Sequence, residues 1–131
     1  MSKPEFAANV LEIAQHLEKS GHQVKVPFET QDILHEKMVN NRENTETDRE
    51  RRLKFIDIIK DFDAILVTNR EKNNISWYIG GASLVEMAIA FSNHKPIFIL
   101  NPLPEVSEIK YVQEIKLMRP IILNGDLTKI Q

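Results

Sequence analysis

Cysteine is absent from this chain of 131 residues. That excludes disulfide staples, a thiolate nucleophile and every cysteine-based metal site. It is compatible with a reducing cytosol, and the expected compartment is the cytoplasm. No apolar run approaches the roughly 20 residues that a membrane-spanning helix needs. Charge of one sign is lacking too: 17 Lys and Arg stand against 19 Asp and Glu, a net charge of −2 with a pI near 6.1. Nothing in that balance calls for a nucleic-acid polymer or a membrane surface as partner. The opening MSKPEFAANV has no apolar h-region and no cleavage pattern, so a signal peptide is not expected there. Repeats and low-complexity tracts are also missing. The polar tract VNNRENTETDRE, Val39 to Glu50, has no apolar face.

What is present fits a globular α/β protein. Hydrophobic residues make up 42% and charged residues 27%, enough to bury a core without staples. A single domain over residues 1–131 is expected. Ser2 and Glu5 fit a capping box, followed by an apolar face of Phe6, Val10, Ile13, Ala14 and Leu17 and a closing Gly21. Gln23 to Pro27 then reads as a strand. In parallel α/β folds a strand normally precedes the first helix. Here that strand is missing: either the protein begins without it, or the chain extends upstream. A short helix is expected over Gln31 to Asn40. A second capping box at Thr47 to Glu50 opens a helix to about Lys60 with Leu53, Ile56 and Ile59 inward. Its arginines are read as a solvated face paired with Asp48 and Glu50, or as a source of one phosphate contact.

Asp63 to Asn69 is the clearest strand, its apolar run pointing to burial on both faces. Ligands of parallel sheets lie beyond the carboxyl ends of strands, so Thr68 and Asn69 face the expected site. REKNNIS, residues 70–76, reads as a loop leading to Trp77 and Tyr78. Trp77 is expected in the core. Tyr78 could stack on a base or sugar, or cover the core.

The chain is organised around YIGGASLVEMAIAFSNHKPIFILNPLP, Tyr78 to Pro104. Gly80 and Gly81 make a turn. Ser83 to Phe91 is helical, with Leu84, Met87, Ala88 and Phe91 as an apolar stripe. Asn93 to Pro96 break it, and Ile97 to Leu100 is a buried strand. Glu86 is the exception to bland packing. It sits in the first turns of the helix, near the positive end of the dipole and a turn that a ligand could approach closely. A capping or solvated carboxylate is the plain alternative. Glu105 to Leu117 is read as a helix with Ile109, Val112 and Ile115 or Met118 inward. Pro120 to Leu123 is a last strand, Asn124 to Asp126 a turn, and the chain then trails off. His16, His22, His35 and His94 lack a ligand-spaced partner, so no metal is expected, and no cofactor either.

Strands at about 23–27, 63–69, 96–100 and 120–123 alternate with helices. The expected fold is a three-layer α/β/α sandwich with a mostly parallel, flavodoxin-like sheet whose first strand is missing. Three stretches, GHQVKVP, DAILVTN and YIGGASLVEMAIAFSNHKPIFIL, resemble the nucleoside 2-deoxyribosyltransferases and the related 2′-deoxynucleoside 5′-phosphate N-hydrolases. The likeness runs over nearly the whole chain. It implies that Glu86 is the nucleophilic glutamate and that Asn69, Tyr78, Gly80, Gly81 and Ser83 bind substrate. The match departs at Ala88, where that family carries glycine, and at Asn69, Asn73 and Asn74, where it often carries acidic residues against the base. The implied activity is cleavage or transfer of an N-glycosidic bond on a nucleoside or nucleoside 5′-monophosphate. The implied assembly is a homodimer or higher homo-oligomer. A non-catalytic nucleotide-binding or regulatory module on the same fold is the alternative. A phosphoribohydrolase-type site is disfavoured, because Ala82-Ser83-Leu84-Val85 stands where that family has a further Gly-Thr.

Overall fold

Apolar periodicity builds two compact units, Met1–Phe55 and Ile56–Gln131, in the computed structural model. It describes residues 3–26 and 45–130, with side chains from residues 8 and 49 onward. In the first unit, α1 (Lys3–Lys19) buries Ala14 and Leu17 and half-buries Val10 and Ile13, the expected face. Phe6 and the Ser2–Glu5 cap lie outside the described side chains. Gly21 ends the helix at φ 99°, with His22 N donating to Leu17 O at 3.1 Å and Gly21 N to Glu18 O at 3.0 Å. This is the Schellman pattern, whose left-handed residue favours glycine. Residues 23–26 form no strand, contrary to the alternation of Val24 and Val26. A strand exists only with a ladder partner, and none of the described residues pairs with this segment. Pro27 and the expected helix at 31–40 lie outside the described residues.

Helix α2 (Thr45–Asp61) starts before the expected Thr47 cap and runs across the boundary of the units. Ile59 is buried, and Phe55, Ile56 and Phe62 are half-buried. Leu53, expected inward, is 46% exposed. At about 100° per residue it stands roughly 120° round from Ile59, off the face that Phe55, Ile59 and Phe62 define.

The second unit runs β1 (Ile65–Val67), β2 (Arg70–Lys72), β3 (Ile75–Tyr78), α3 (Gly81–Ser92), β4 (Ile97–Ile99), α4 (Val112–Leu117) and β5 (Ile121–Ile122). A 3-10 turn, Leu127–Lys129, follows. The sheet order is β1-β4-β5, all parallel, with Leu66 opposite Phe98 and Phe98 opposite Ile121. This is a mixed α/β arrangement around a parallel sheet. All of β4 is buried, as its unbroken apolar run predicts. β1 is shorter than the 63–69 run, and Ile65 and Leu66 are only half-buried. The reason is its place: it is an edge strand of the described sheet.

Two further departures matter for the site. Residues 70–76 are not a loop but most of a hairpin. β2 and β3 pair antiparallel, Arg70 opposite Tyr78 and Lys72 opposite Ile75. Asn73 and Asn74 turn it with φ of 54° and 63°, the two left-handed residues of a type I′ turn. The buried residues of α3 are Met87 and Ala90; Leu84 is half-buried, and Ala88 and Phe91 are exposed. The expected stripe is thus rotated. The helix is apolar nearly all round, so contact with β1 and β4, not periodicity, selects its inner face.

Between β4 and β5 the helix forms only from Val112, whereas 106–108 and 110–111 are turns. Val106, Ser107, Ile109 and Tyr111 are weaker helix formers than the segment that follows. Ile109, Val112 and Ile115 are buried as expected. Asn124 and Gly125 turn the chain at φ of 52° and 82°, and Gly125 N bonds Leu100 O at 2.7 Å. The end does not trail off. Asp126 caps the 3-10 turn by accepting from Thr128 N at 3.0 Å, and those bonds from Thr128 hold its carboxyl below the usual range. No helix among the described residues is long and apolar enough to cross a membrane.

Candidate active site

β1 and β4 run parallel, so their chain continuations, Thr68-Asn69 and Leu100-Asn101-Pro102, emerge at the same end of the sheet. Asn69 ties them together and is 3% exposed. Its Nδ2 donates to Pro102 O at 2.8 Å, with longer contacts to Trp77 O at 3.3 Å and Asn101 O at 3.4 Å. Its Oδ1 accepts from Asn101 N at 3.0 Å, and Asn101 Nδ2 donates back to Asn69 O at 2.7 Å. An asparagine carries donor and acceptor on one planar group, which is what bridging a backbone N–H and carbonyls requires. The side chain expected to meet substrate is therefore engaged with the backbone, in a clamp between two strand ends and the hairpin.

Trp77 is the point where the hairpin is held. Its backbone is left-handed at φ 59° and the residue is 37% exposed, not in the core. Tyr78 is half-buried, with Lys72 Nζ 5.5 Å from the centre of its ring, a cation over the π face. Gly80 precedes α3 in extended geometry, φ −84° and ψ 175°. Its glycine is explained by space: a Cβ there would lie 3.3 Å from Cε2 of Tyr78. A Cβ at Gly81 would meet nothing within 4 Å. Gly80, then, makes room for the Tyr78 ring, while Gly81 leaves the face of the turn open.

Ser83 and Glu86 are both half-buried on α3. The first turn of the helix holds no acidic residue, so Glu86 stands in the second. The dipole effect fades beyond the first turn; Glu86 gains less from it than its sequence position promised. Both residues flank the buried side of the helix rather than its solvent face, where Val85 is 53% exposed.

One residue escaped sequence reasoning. The Tyr111 hydroxyl, just ahead of α4, donates to the carbonyl of Ile79, the residue before the glycine pair. Ile79 is 1% exposed, so its carbonyl needs a partner inside the protein. Tyr111 also meets Tyr78. Burial first, and then the neighbouring Tyr78, push the Tyr111 phenol above its ordinary value. A tyrosine between apolar Ile109 and Val112 was the available signal, since a partly buried phenol usually finds a partner; the identity of that partner was not readable.

These are the only two tyrosines in the chain, which makes the pair directly measurable. In an alkaline absorbance titration, the tyrosinate step of Tyr111 is expected above that of a free tyrosine, near pH 10. In Tyr78→Phe it should move back down. An acid whose pKa is raised by folding adds stability below its unfolded pKa and loses it as pH rises through the folded value. The Tyr111 contribution therefore fades only on the alkaline side. Two ordinary, independent steps would contradict the contact.

No family model, curated protein or solved structure matches the chain.

Proposed function

We propose that the protein cleaves or transfers the N-glycosidic bond of a deoxynucleoside or deoxynucleoside 5′-monophosphate, with Glu86 as nucleophile. The observation that carries this is the placement of Glu86. It is half-buried on the helix that leaves the Gly80–Gly81 turn, and Asn69 ties the strand leading into that turn to the carboxyl ends of β1 and β4. That is the end of a parallel sheet where ligands bind. The likeness of the same residues to the deoxyribosyltransferase pattern supports it. Cleavage develops oxocarbenium character at C1′. The Glu86 carboxylate attacks C1′ on the face opposite the base, the C1′–N bond breaks, and the base leaves with its electron pair. Water, or a second base, then attacks C1′ of the glycosyl-enzyme and frees Glu86. Tyr78, Gly80, Gly81 and Ser83 would line the substrate.

The three-layer, flavodoxin-like arrangement belongs to the same proposal. Ile97 and Ile99 on one face of β4 and Phe98 on the other are all buried, as a sheet covered on both sides requires. The engagement of Asn69 with the backbone favours one second reading, a nucleotide-binding module without catalysis on a cytoplasmic protein. Incubation with a panel of deoxynucleosides and their 5′-monophosphates separates the two: free base on chromatography supports the enzyme, and binding without base release supports the module.

Assembly is part of the proposal. The helix α3 leaves Val85 and Phe91 53% and 52% exposed, with Ala88 exposed between them, an apolar face suited to a second copy of the chain. Phe91→Lys is expected to lower the mass in sedimentation to that of one 15.2 kDa chain. A wild-type protein already at that mass would refute self-association.

A further inference from the structure

We propose that Tyr111 is a positioning residue for the Glu86 site, holding the turn from which the Glu86 helix starts. The proposal rests on the N-glycosyl reading above. Its physical basis is the accounting of hydrogen bonds around the turn. The Gly80 carbonyl accepts the first bond of α3, from Leu84 N at 3.0 Å. The Ile79 carbonyl lies one residue outside the helix, and it is the one the Tyr111 hydroxyl takes. Two carbonyls flanking Tyr78 are thereby pinned from separate parts of the chain, Trp77 O by Asn69 and Ile79 O by Tyr111.

Two successive glycines otherwise give this turn more backbone freedom than any other pair of residues could. Freedom there is transmitted to two groups. One is the Tyr78 ring, packed against Gly80. The other is α3, and with it the direction of Glu86. A nucleophile must approach C1′ in line, and a misplacement of about 1 Å can cost on the order of 100-fold in rate. The bond from Tyr111 spans 32 residues, so it ties the segment before α4 to a turn that local sequence alone leaves loose.

The test is Tyr111→Phe, which keeps the ring and removes the hydroxyl. Base release is measured well below the melting temperature, alongside the emission of Trp77, the single tryptophan. The expected result is kcat lowered roughly 10- to 100-fold, KM within about threefold of wild type, and a shifted Trp77 emission. Placing 4-aminophenylalanine at position 111, which restores a donor, should return kcat to within about threefold of wild type; this arm also serves if Tyr111→Phe does not fold. Wild-type kcat in Tyr111→Phe overturns the proposal, as does a 4-aminophenylalanine variant that folds without recovering kcat. A raised KM with unchanged kcat also overturns it, because Tyr111 would then be a substrate contact. No base from the wild-type protein on any substrate defeats the N-glycosyl reading itself, and this proposal with it. Failure of the two is thus told apart by the wild-type lane.

Discussion

Glu86→Gln should release base at least roughly 1,000-fold more slowly than the wild-type protein while folding as before. Glutamine has nearly the volume of glutamate, so packing on the half-buried side of α3 is kept. What is lost is the negative charge. A neutral amide neither stabilises an oxocarbenium ion nor forms a glycosyl ester with C1′. The loss should therefore appear in the kcat of a variant that still folds. Chromatography of free base and thermal melting of both proteins decide it. A variant that releases base like the wild type would remove Glu86 from the chemistry, and the binding-module reading would then lead.

The second large effect is structural. Asn69→Asp is expected to cost about 3–5 kcal/mol at neutral pH, the scale of a buried charge left uncompensated. The shape is unchanged but the donor is gone. At the place where Nδ2 meets the Pro102 carbonyl at 2.8 Å, a carboxylate oxygen would face an acceptor, with the Trp77 and Asn101 carbonyls close by. Water cannot relieve the conflict at a residue that is 3% exposed. The protonated acid could still donate, so folding raises the pKa of the introduced carboxyl. A group shifted upward is tolerated below its unfolded pKa, about 4 for Asp, and penalised as pH rises through the folded value. Denaturant titrations at pH 4 and pH 8 should thus show a deficit that is larger at pH 8. Equal stability of variant and wild type at pH 8 would mean that the clamp between the strand ends contributes little.

Legibility from sequence followed the range of the forces involved. β4 was readable because Ile97 to Leu100 is unbroken and bracketed by Pro96 and Asn101. The end of α1 was readable because Gly21 takes a left-handed conformation that other residues resist. The hairpin was not, because REK and ISWY show no alternation and the signal lies in Asn73-Asn74, two residues that tolerate left-handed backbone. The face of α3 was misjudged for the opposite reason: a surplus of apolar residues fits several stripes equally well. Glu86 stood out as the one charge in that helix. Its distance from the helix start was also in the sequence, once Gly81 is recognised as the first helical residue. The role of Asn69 as a clamp, and Tyr111 altogether, depend on partners 32 or 33 residues away, beyond any local pattern.

The two kinds of pairing in the second unit also differ in what they ask of the unfolded chain. The β2–β3 hairpin closes a turn of two asparagines, an event on the order of microseconds. The β1–β4 ladder must close a far longer loop, at an entropic cost that its few parallel bonds only later offset. The hairpin lies inside that loop, in the connection between the two strands it helps to join. Once folded, it shortens the span that remains to be searched. The strand that delivers Tyr78 is thereby expected to speed closure of the β1–β4 ladder.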